Sequence, residues 1–374
     1  IFKKAFSQSE YTMPSLASMF TGLYPIQHGV FTHDKSQREL PTSVELLTEK
    51  MSANNYRTMV YSNGLRFIPQ YGFYRGTEKF FHHNFSNLLQ DSFSITNRAI
   101  EFAETHKDEN FFMFLHYIDT HPPFSMPTYF YDVNSDSDYF HDSSKIYNKL
   151  KLHKFKDQNL IKTVEQTADI KLKNLDYVIG TLFGFLKNSG LDKNTSVILL
   201  ADHGRKYQKS IPLLTKDITQ VPLLIKYPNS KFEYKDFYCE SNTSLYPTIM
   251  DLTNIEKPKH LSGRSVFESN QNSYALTESL FRRTAETSIR ENDYVYIQKT
   301  DFDYMNGEVN LDDINKEYLF LENERNDNGN YTDLSLKELE IKNKLKIKIK
   351  NHYVNSTKYF DNDHILSFTK NYKE

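Results

Sequence analysis

Tryptophan is absent from the 374-residue chain, and cysteine occurs once, at Cys239. A lone cysteine excludes an internal disulfide and any zinc site built on several thiolates. No apolar run approaches the roughly 18 residues of a membrane span, and no secretory signal is visible. Charge of one sign is missing too: 46 Lys and Arg stand against 48 Asp and Glu. Such a balance gives no global field for nucleic acid or an acidic membrane. The chain opens on Ile1 rather than Met, so the compartment, cytoplasmic or exported, stays open. Membrane association is expected only through a segment ahead of Ile1.

Aromatic volume is what the chain has in quantity, with 26 Tyr and 28 Phe to supply much of a core. Its length suits one large α/β domain with an appendage. Residues 12–22 read as a helix: Leu16, Met19, Phe20 and Leu23 fall at i, i+3, i+4 and i+7, with Pro14 in the first turn and Gly22 as the stop. Val44, Leu46, Leu47 and Met51 repeat the pattern over 43–54, and 57–62 reads as a short buried strand. A helix over 92–106 leads to the apolar run 111–115, which is too short for a helix and reads as a central strand. Residues 126–157 lack a period and read as a surface excursion, and 160–189 read as a helix ended by Gly190. Strands follow over 195–204 and 221–228. Past Phe267 short strands alternate with turns, and the Lys-rich segment 334–353 closes the chain as a helix or strand with a solvated face. Nothing aromatic is interleaved there in a nucleic-acid recognition pattern. The expected organisation is a catalytic α/β domain over 1–267 and a small antiparallel subdomain with a closing helix over 268–374.

Strands that alternate with helices imply a mostly parallel sheet covered on both faces. Ligands of such sheets collect beyond the carboxyl ends of the strands. His116, Asp119, His121, Asp202 and His203 all stand at such ends. The adjacent Asp202 and His203 offer a carboxylate oxygen and an imidazole nitrogen, a donor set that suits Ca²⁺, Mg²⁺, Mn²⁺ or Zn²⁺. Thr12, ahead of a Pro-containing first turn, reads on its own as a helix N-cap worth about 1 kcal/mol.

In order along the chain stand T-x-P-S-x-A-S-x-F-T-G-L-Y-P-x-x-H-G-V from Thr12, F-L-H-Y-x-D-x-H-P-P-F from Phe114, A-D-H-G from Ala201, V-P-L-L-I-K-Y-P from Val221 and L-Y-P-T-I-M-D-L from Leu245. This series resembles the sulfatase family of the alkaline phosphatase superfamily, and "KEYLFLENERND" (316–327) resembles that family's late E-L-Y-D-L-x-N-D-P element. The resemblance implies a mixed sheet between helix layers, a smaller C-terminal sheet, and hydrolysis or transfer at a sulfate or phosphate ester. It implies one or two divalent metal ions that engage the nucleophile and a nonbridging substrate oxygen. The substrate is then a small-molecule or glycan ester.

Residue by residue, the resemblance makes Thr12 the nucleophile and a metal ligand, beside Asp202 and His203. It makes His121 a contact of the sulfuryl or phosphoryl group or the acid to the leaving oxygen. Lys209, or else Lys206, stands where the family has a basic residue between the D-H-G turn and the V-P strand. His116 and Asp119 are expected to bind substrate or to orient His121, and His28 to be structural. Departures are informative. Sulfatases carry a Cys or Ser that becomes formylglycine, and an Arg four residues on; here Thr12 and Leu16 occupy those positions. Threonine there is similar to the phosphoethanolamine and glycerophosphate transferase branch, in which a cation activates the hydroxyl. Ser62, Asn63 and Gly64 replace a G-K-W-H element, with Asn63 a candidate donor to a substrate oxygen. The family's acidic metal ligands on a first strand have no counterpart in residues 1–11 and are expected upstream of Ile1. A catalytically inactive sulfatase-fold binding protein is the alternative.

Overall fold

The computed structural model describes residues 1–31, 36–64, 67–82, 92–121, 148–149, 157–205, 213–268, 273–325, 330–361 and 365–367. The elements run β1 (Phe2–Phe6), α1 (Thr12–Thr21), α2 (Pro25–His28), β2 (Ser36–Arg38), α3 (Leu47–Ala53), β3 (Arg57–Ser62), β4 (Lys79–His82), α4 (Ser92–Thr105) and β5 (Phe111–His116). Next come α5 (Gln158–Asn188), β6 (Val197–Leu200), α6 (Lys216–Thr219), β7 (Leu223–Lys226), β8 (Lys235–Glu240) and α7 (Ser241–Thr253). The C-terminal part holds β9 (Tyr274–Phe281), β10 (Thr284–Glu291), β11 (Tyr294–Asp303), β12 (Glu308–Leu321), α8 (Leu339–Asn355) and β13 (Ile365–Ser367). Most of the expected surface excursion, and both Lys206 and Lys209, lie outside the described residues.

The fold is mixed α/β. Strands β4, β3 and β5 form one parallel sheet, and β6, β7, β1 and β8 a second. In the second, β1 and β8 are parallel, while β7 runs antiparallel to both β1 and β6. The two sheets share helices rather than hydrogen bonds: Phe112 and Phe114 of β5 and Ile198 and Leu200 of β6 pack on the same cluster around Met13, Leu16 and Phe20 of α1. A separate antiparallel sheet runs in the order β12, β11, β10, β9.

One element was not legible beforehand. The sequence reading starts at Thr12, yet β1 precedes it and stands between β7 and β8. Its FKKAF pattern hides the strand, because two adjacent lysines interrupt the apolar residues. In the fold Phe2, Ala5 and Phe6 are buried, while Lys4 lies 5.0 Å from the ring centre of Tyr238 and ion-pairs with Asp293. Its stem then covers apolar surface while its charge finds partners at the edge.

Helix α1 is buried from Met13 to Thr21. It stops at Gly22, which takes the left-handed conformation (φ 69°) and returns its N–H to Ser18 O at 2.8 Å. The left-handed conformation favours glycine here, and a Cβ would stand 2.4 Å from Leu261 Cδ2, so a larger residue would also have to displace that side chain. His28 secures the turn that follows. Val30 N–H donates to its Nδ1 at 3.1 Å, which leaves Nε2–H to face Ser18 Oγ at 3.1 Å. His28 is therefore structural, packed in neutral form under α1.

Burial pushes the His28 imidazole down from 6.5 to about 3. A depressed value means that its stabilising effect is complete above pH 6.5 and is lost as pH falls towards 3. Replacement of His28 by Gln is expected to flatten the acid limb: urea titrations of the parent should weaken more steeply than the variant across that window. Equal slopes would remove His28 from the acid response.

Candidate active site

The site begins where β1 ends. Residues 7–10 leave the sheet within the core, and every one of them is buried. Their backbone groups must find partners there, since a buried unpaired N–H or C=O costs about 1–3 kcal/mol. Ser7 N–H donates to Thr219 O at 2.7 Å and the Gln8 carbonyl accepts from Glu278 N–H at 3.0 Å, and the Gln8 N–H is met by a reciprocal exchange with the start of α7. Gln8 N–H donates to Asn242 Oδ1 at 3.1 Å, and Asn242 N–H donates to Gln8 Oε1 at 2.8 Å. Asn242 Nδ2 then donates to Ser15 O at 3.3 Å and to Asp202 O at 3.2 Å. One fully buried amide thus joins β1, the first turns of α1 and the end of β6.

Glu10 ties the same turn to the C-terminal sheet. Its carboxylate accepts from Ser279 Oγ and, at 3.3 Å, from Ser9 Oγ. Burial pushes this carboxyl up to about 7, against the pull of those hydroxyls. Tyr11, two residues from Ser9, takes the N-cap position with extended backbone, φ −120° and ψ 143°. Thr12 is consequently the first helical residue and not the cap, a correction to the reading of Thr12 by itself. Its hydroxyl is directed elsewhere.

Thr12 Oγ1 lies 3.3 Å from His203 Nε2. His203 Nδ1 is 2.7 Å from the Gly204 carbonyl. A carbonyl only accepts, so Nδ1 carries a proton, and Nε2 is the nitrogen that faces the Thr12 hydroxyl. Asp202 Oδ1 accepts the His203 N–H at 2.9 Å, and Oδ2 lies 3.5 Å from His203 Nε2. Burial opposes ionisation of Asp202, but the His203 and His116 imidazoles, the Thr12 hydroxyl and the His203 N–H hold its carboxyl below the ordinary value. Gly204 closes the turn by donating to Ile218 O at 2.6 Å; a Cβ there would stand 2.7 Å from Asp217 O. Thr12, Asp202 and His203 are thereby brought together.

These three offer a hydroxyl, a carboxylate and an imidazole nitrogen to one point, a donor set that fits hard or borderline divalent ions. They are an incomplete shell. Among the described residues no group of three or more His, Cys, Asp or Glu stands ready to hold a metal ion.

The other expected residues are distributed around this centre. His116 closes β5, paired in register with Ser62 of β3, and its Nδ1 lies 2.8 Å from Ser62 Oγ. Burial lowers its pKa, Asp202 opposes that shift and His203 adds to it. Asn63 is buried and uses Oδ1 to accept Ile118 N–H at 3.1 Å, so it joins the loops after β3 and β5. Asp119 is buried in that second loop, whereas His121 is exposed on the turn, its N–H donating to Ile118 O at 2.8 Å. Lys209 belongs to the residues not described.

The family model for sulfatase matches residues 1–255. The chain belongs to the sulfatase family. Among curated sulfatases it is 28% identical over 204 residues to the uncharacterized sulfatase YidJ of Escherichia coli K12, covering 48% of this chain and 40% of that one. Against arylsulfatase K of Bos taurus it is 23% identical over 342 residues, 72% of this chain and 58% of the relative. The chain thus spans about half the length of the curated relatives it matches. Of solved structures, the phosphonate monoester hydrolase of Silicibacter pomeroyi aligns with a TM-score of 0.71 at 16% identity, over 95% of this chain and 88% of that one. A protein solved with D-glucosamine-2-N,6-O-disulfate as its substrate aligns with a TM-score of 0.69 at 14% identity, over 99% and 92%. These likenesses establish a shared fold.

Gln8, Glu10, Ser62 and Asn242 were not singled out by sequence reasoning. For Gln8, Glu10 and Asn242 the signal is faint but present: "SQSE" and "ESNTS" are runs of polar residues set directly against strand ends, where a core must supply their partners. Replacing Asn242 by Ala is expected to lower the unfolding free energy by at least about 2 kcal/mol in urea titrations. Asn242→Asp should fare no better, because a carboxylate turns two donors into acceptors aimed at the carbonyls of Ser15 and Asp202. A neutral effect of both would dismiss the clasp.

Proposed function

We propose that this sulfatase-family chain carries the ester-cleaving centre of a hydrolase, with Thr12 as the nucleophile and phosphate or phosphonate esters favoured over sulfate esters. The observation that carries the reading is the convergence of Thr12 Oγ1 on His203 Nε2 at 3.3 Å beside the ionised Asp202. A free hydroxyl is a weak nucleophile at neutral pH. Thr12, Asp202 and His203 would hold a divalent cation, whose charge, when bound, lowers the pKa of a neighbouring hydroxyl and offsets negative charge on the ester oxygens. Position matters as well: Thr12 begins α1, and the positive end of a helix favours the anion it would attack.

In the proposed reaction the Thr12 hydroxyl gives up its proton to solvent, Oγ1 bonds to the phosphorus or sulfur, and the bond to the leaving oxygen breaks. His121, on the exposed turn after β5, would return a proton to that oxygen. Water then attacks the threonyl ester to complete hydrolysis, whereas an alcohol in its place would complete transfer. Threonine cannot become formylglycine, which is the reason phosphorus is favoured. Lys209, Asn63, His116 and Asp119 are proposed to bind substrate around the centre. The glycan sulfates named with the relatives, ulvan and glucosamine disulfate, support a small-molecule or glycan ester as the substrate class.

A further strand is proposed to complete the cation site. β5 and β6 each end a sheet on one side, although their residues are almost wholly apolar and pack on one cluster. A strand paired with those two edges would bring the acidic ligands that β1, FKKAF, lacks. The inactive alternative draws on Leu16 and on Ser62-Asn63-Gly64, which replace charged family residues.

Full-length protein supplied with Mn²⁺, Ca²⁺ or Zn²⁺ should turn over an aryl phosphate, a phosphodiester or an aryl sulfate, in that order of preference. Thr12→Ala and Asp202→Ala should each lower kcat/KM by about a thousandfold or more, and Asp202→Ala should also lower bound metal measured by elemental analysis. Undiminished turnover by Thr12→Ala would eliminate the nucleophile. Parent protein that neither binds metal nor turns over any of the three would establish the binding-protein reading.

A further inference from the structure

The buried hydroxyl of Ser62 has only two hydrogen-bond partners among the described residues. Gly64 N–H reaches Ser62 Oγ at 3.0 Å, and His116 Nδ1 lies 2.8 Å away. The first contact uses the oxygen as acceptor, because an N–H only donates. Ser62 is 0% exposed, so its own hydroxyl proton has no water to meet. Leaving that proton unpaired would cost about 1–3 kcal/mol, and Nδ1 is the acceptor within reach. Ser62 therefore donates to Nδ1, and the neutral His116 ring carries its proton on Nε2.

The ring is also held in place. A Cβ on Gly64 would stand 3.1 Å from His116 Cε1 and 3.3 Å from Nδ1, so the loop backbone abuts one side. Phe67 meets the imidazole edge-on, ring centres 6.0 Å apart. The pairing of β3 with β5 fixes the distance between the two residues, since Ser62 and His116 are partners in register. Nε2, the nitrogen not committed to Ser62, has no hydrogen-bond partner among the described residues. Asp202 and His203, at the end of β6, are near enough to act on the charge of the ring in opposite directions.

We propose that Ser62 is a positioning residue that fixes His116 as a neutral hydrogen-bond donor, through Nε2–H, to the anionic ester group at Thr12, and thereby keeps His116 from serving as a cation ligand. The inference rests on the reading of Thr12, Asp202 and His203 as the ester site. It adds a role that charge alone does not supply: a neutral donor opposite a carboxylate and a nucleophile, committed before substrate arrives. Preorganised donors of this kind act without reorganisation during reaction.

The test reads the proton itself. Full-length protein labelled with ¹⁵N-histidine is examined by long-range proton–nitrogen correlation at pH 7.5, with His116→Gln to assign the signal. The parent should show protonated Nε2 and bare Nδ1. Ser62→Ala should give a mixture of the two tautomers and about a tenfold fall in kcat/KM, while Ser62→Thr, which keeps the hydroxyl, should restore both. Inorganic phosphate added to the parent should shift the Nε2 signal. A protonated Nδ1 in the parent, loss of the Nε2 proton on adding Mn²⁺ or Zn²⁺, or an Nε2 signal unmoved by phosphate would each overturn the inference. If phosphate moves that signal but no ester is turned over, the donor role stands and the catalytic reading falls.

Discussion

Everything at the candidate site depends on two side-chain amides, Gln8 and Asn242, that exchange hydrogen bonds inside the core. A chain leaving a central strand normally reaches solvent, where water completes its backbone. Here the chain leaves β1 and stays buried through Glu10. Without their side chains the Gln8 N–H of that turn and the Asn242 and Thr243 N–H groups that open α7 would lose their partners, each worth a large fraction of a marginal folding free energy. With them, the same bonds that satisfy the turn also set the distance between α1 and the end of β6. Asn242 Nδ2 donates to the carbonyls of both Ser15 and Asp202, so one amide ties the first turn of α1, where Thr12 stands, to the residue that carries the carboxylate.

The C-terminal sheet takes part in this arrangement. Glu240, at the end of β8, accepts from Tyr24 Oη at 2.6 Å and from Leu276 N–H at 2.9 Å. Glu278 of β9 accepts from Ile26 N–H at 2.9 Å and pairs with His352 of α8 at 2.6 Å. Two buried carboxylates thus join the segment after α1 to β9 and α8. Their partners surround them, which is the condition under which buried charge is tolerated. Tyr24, Ile26 and Phe31 in turn share one apolar cluster with Leu276, Ile289, Leu345 and Ile349. Ser279 of β9 then reaches Glu10 beside Thr12. The turn that carries Thr12 is therefore braced from α7 on one side and from β9 on the other.

The sequence carried the parts of this structure that repeat and lost those that occur once. Leu16, Met19, Phe20 and Leu23 announce α1 by their period, and the apolar runs before His116 and Asp202 announce β5 and β6 by their composition. Asp202 and His203 stand out because charge directly after an apolar strand is rarely idle. β1 was missed because its core residues are interrupted by Lys3, which stays exposed, and Lys4, whose partners Tyr238 and Asp293 come from distant parts of the chain. Thr12 as a cap was a fair local reading that tertiary context displaced: Tyr11 ends the extended segment, and His203 draws the hydroxyl away. The roles of Ser62 and Asn242 are hard to read from sequence for a related reason, since a single polar residue acquires its meaning from partners 54 and 227 positions away.

Leu16 shows how the site manages its charge. A sulfatase would be expected to carry arginine at that position, yet Leu16 is 1% exposed and packs with Met13, Phe20 and Tyr246 in the largest apolar cluster. A guanidinium placed in that packing would be desolvated without a partner in the cluster, at a cost of several kcal/mol. The first turn of α1 is thus anchored by apolar packing rather than by a cation. The positive end of α1 lies at Thr12 and favours an anion there. Asp202, held below the ordinary carboxylate value beside it, acts in the opposite sense. With Leu16 in place of a cation, the electrostatic balance of the site is therefore set by a helix terminus and a carboxylate that face the same hydroxyl.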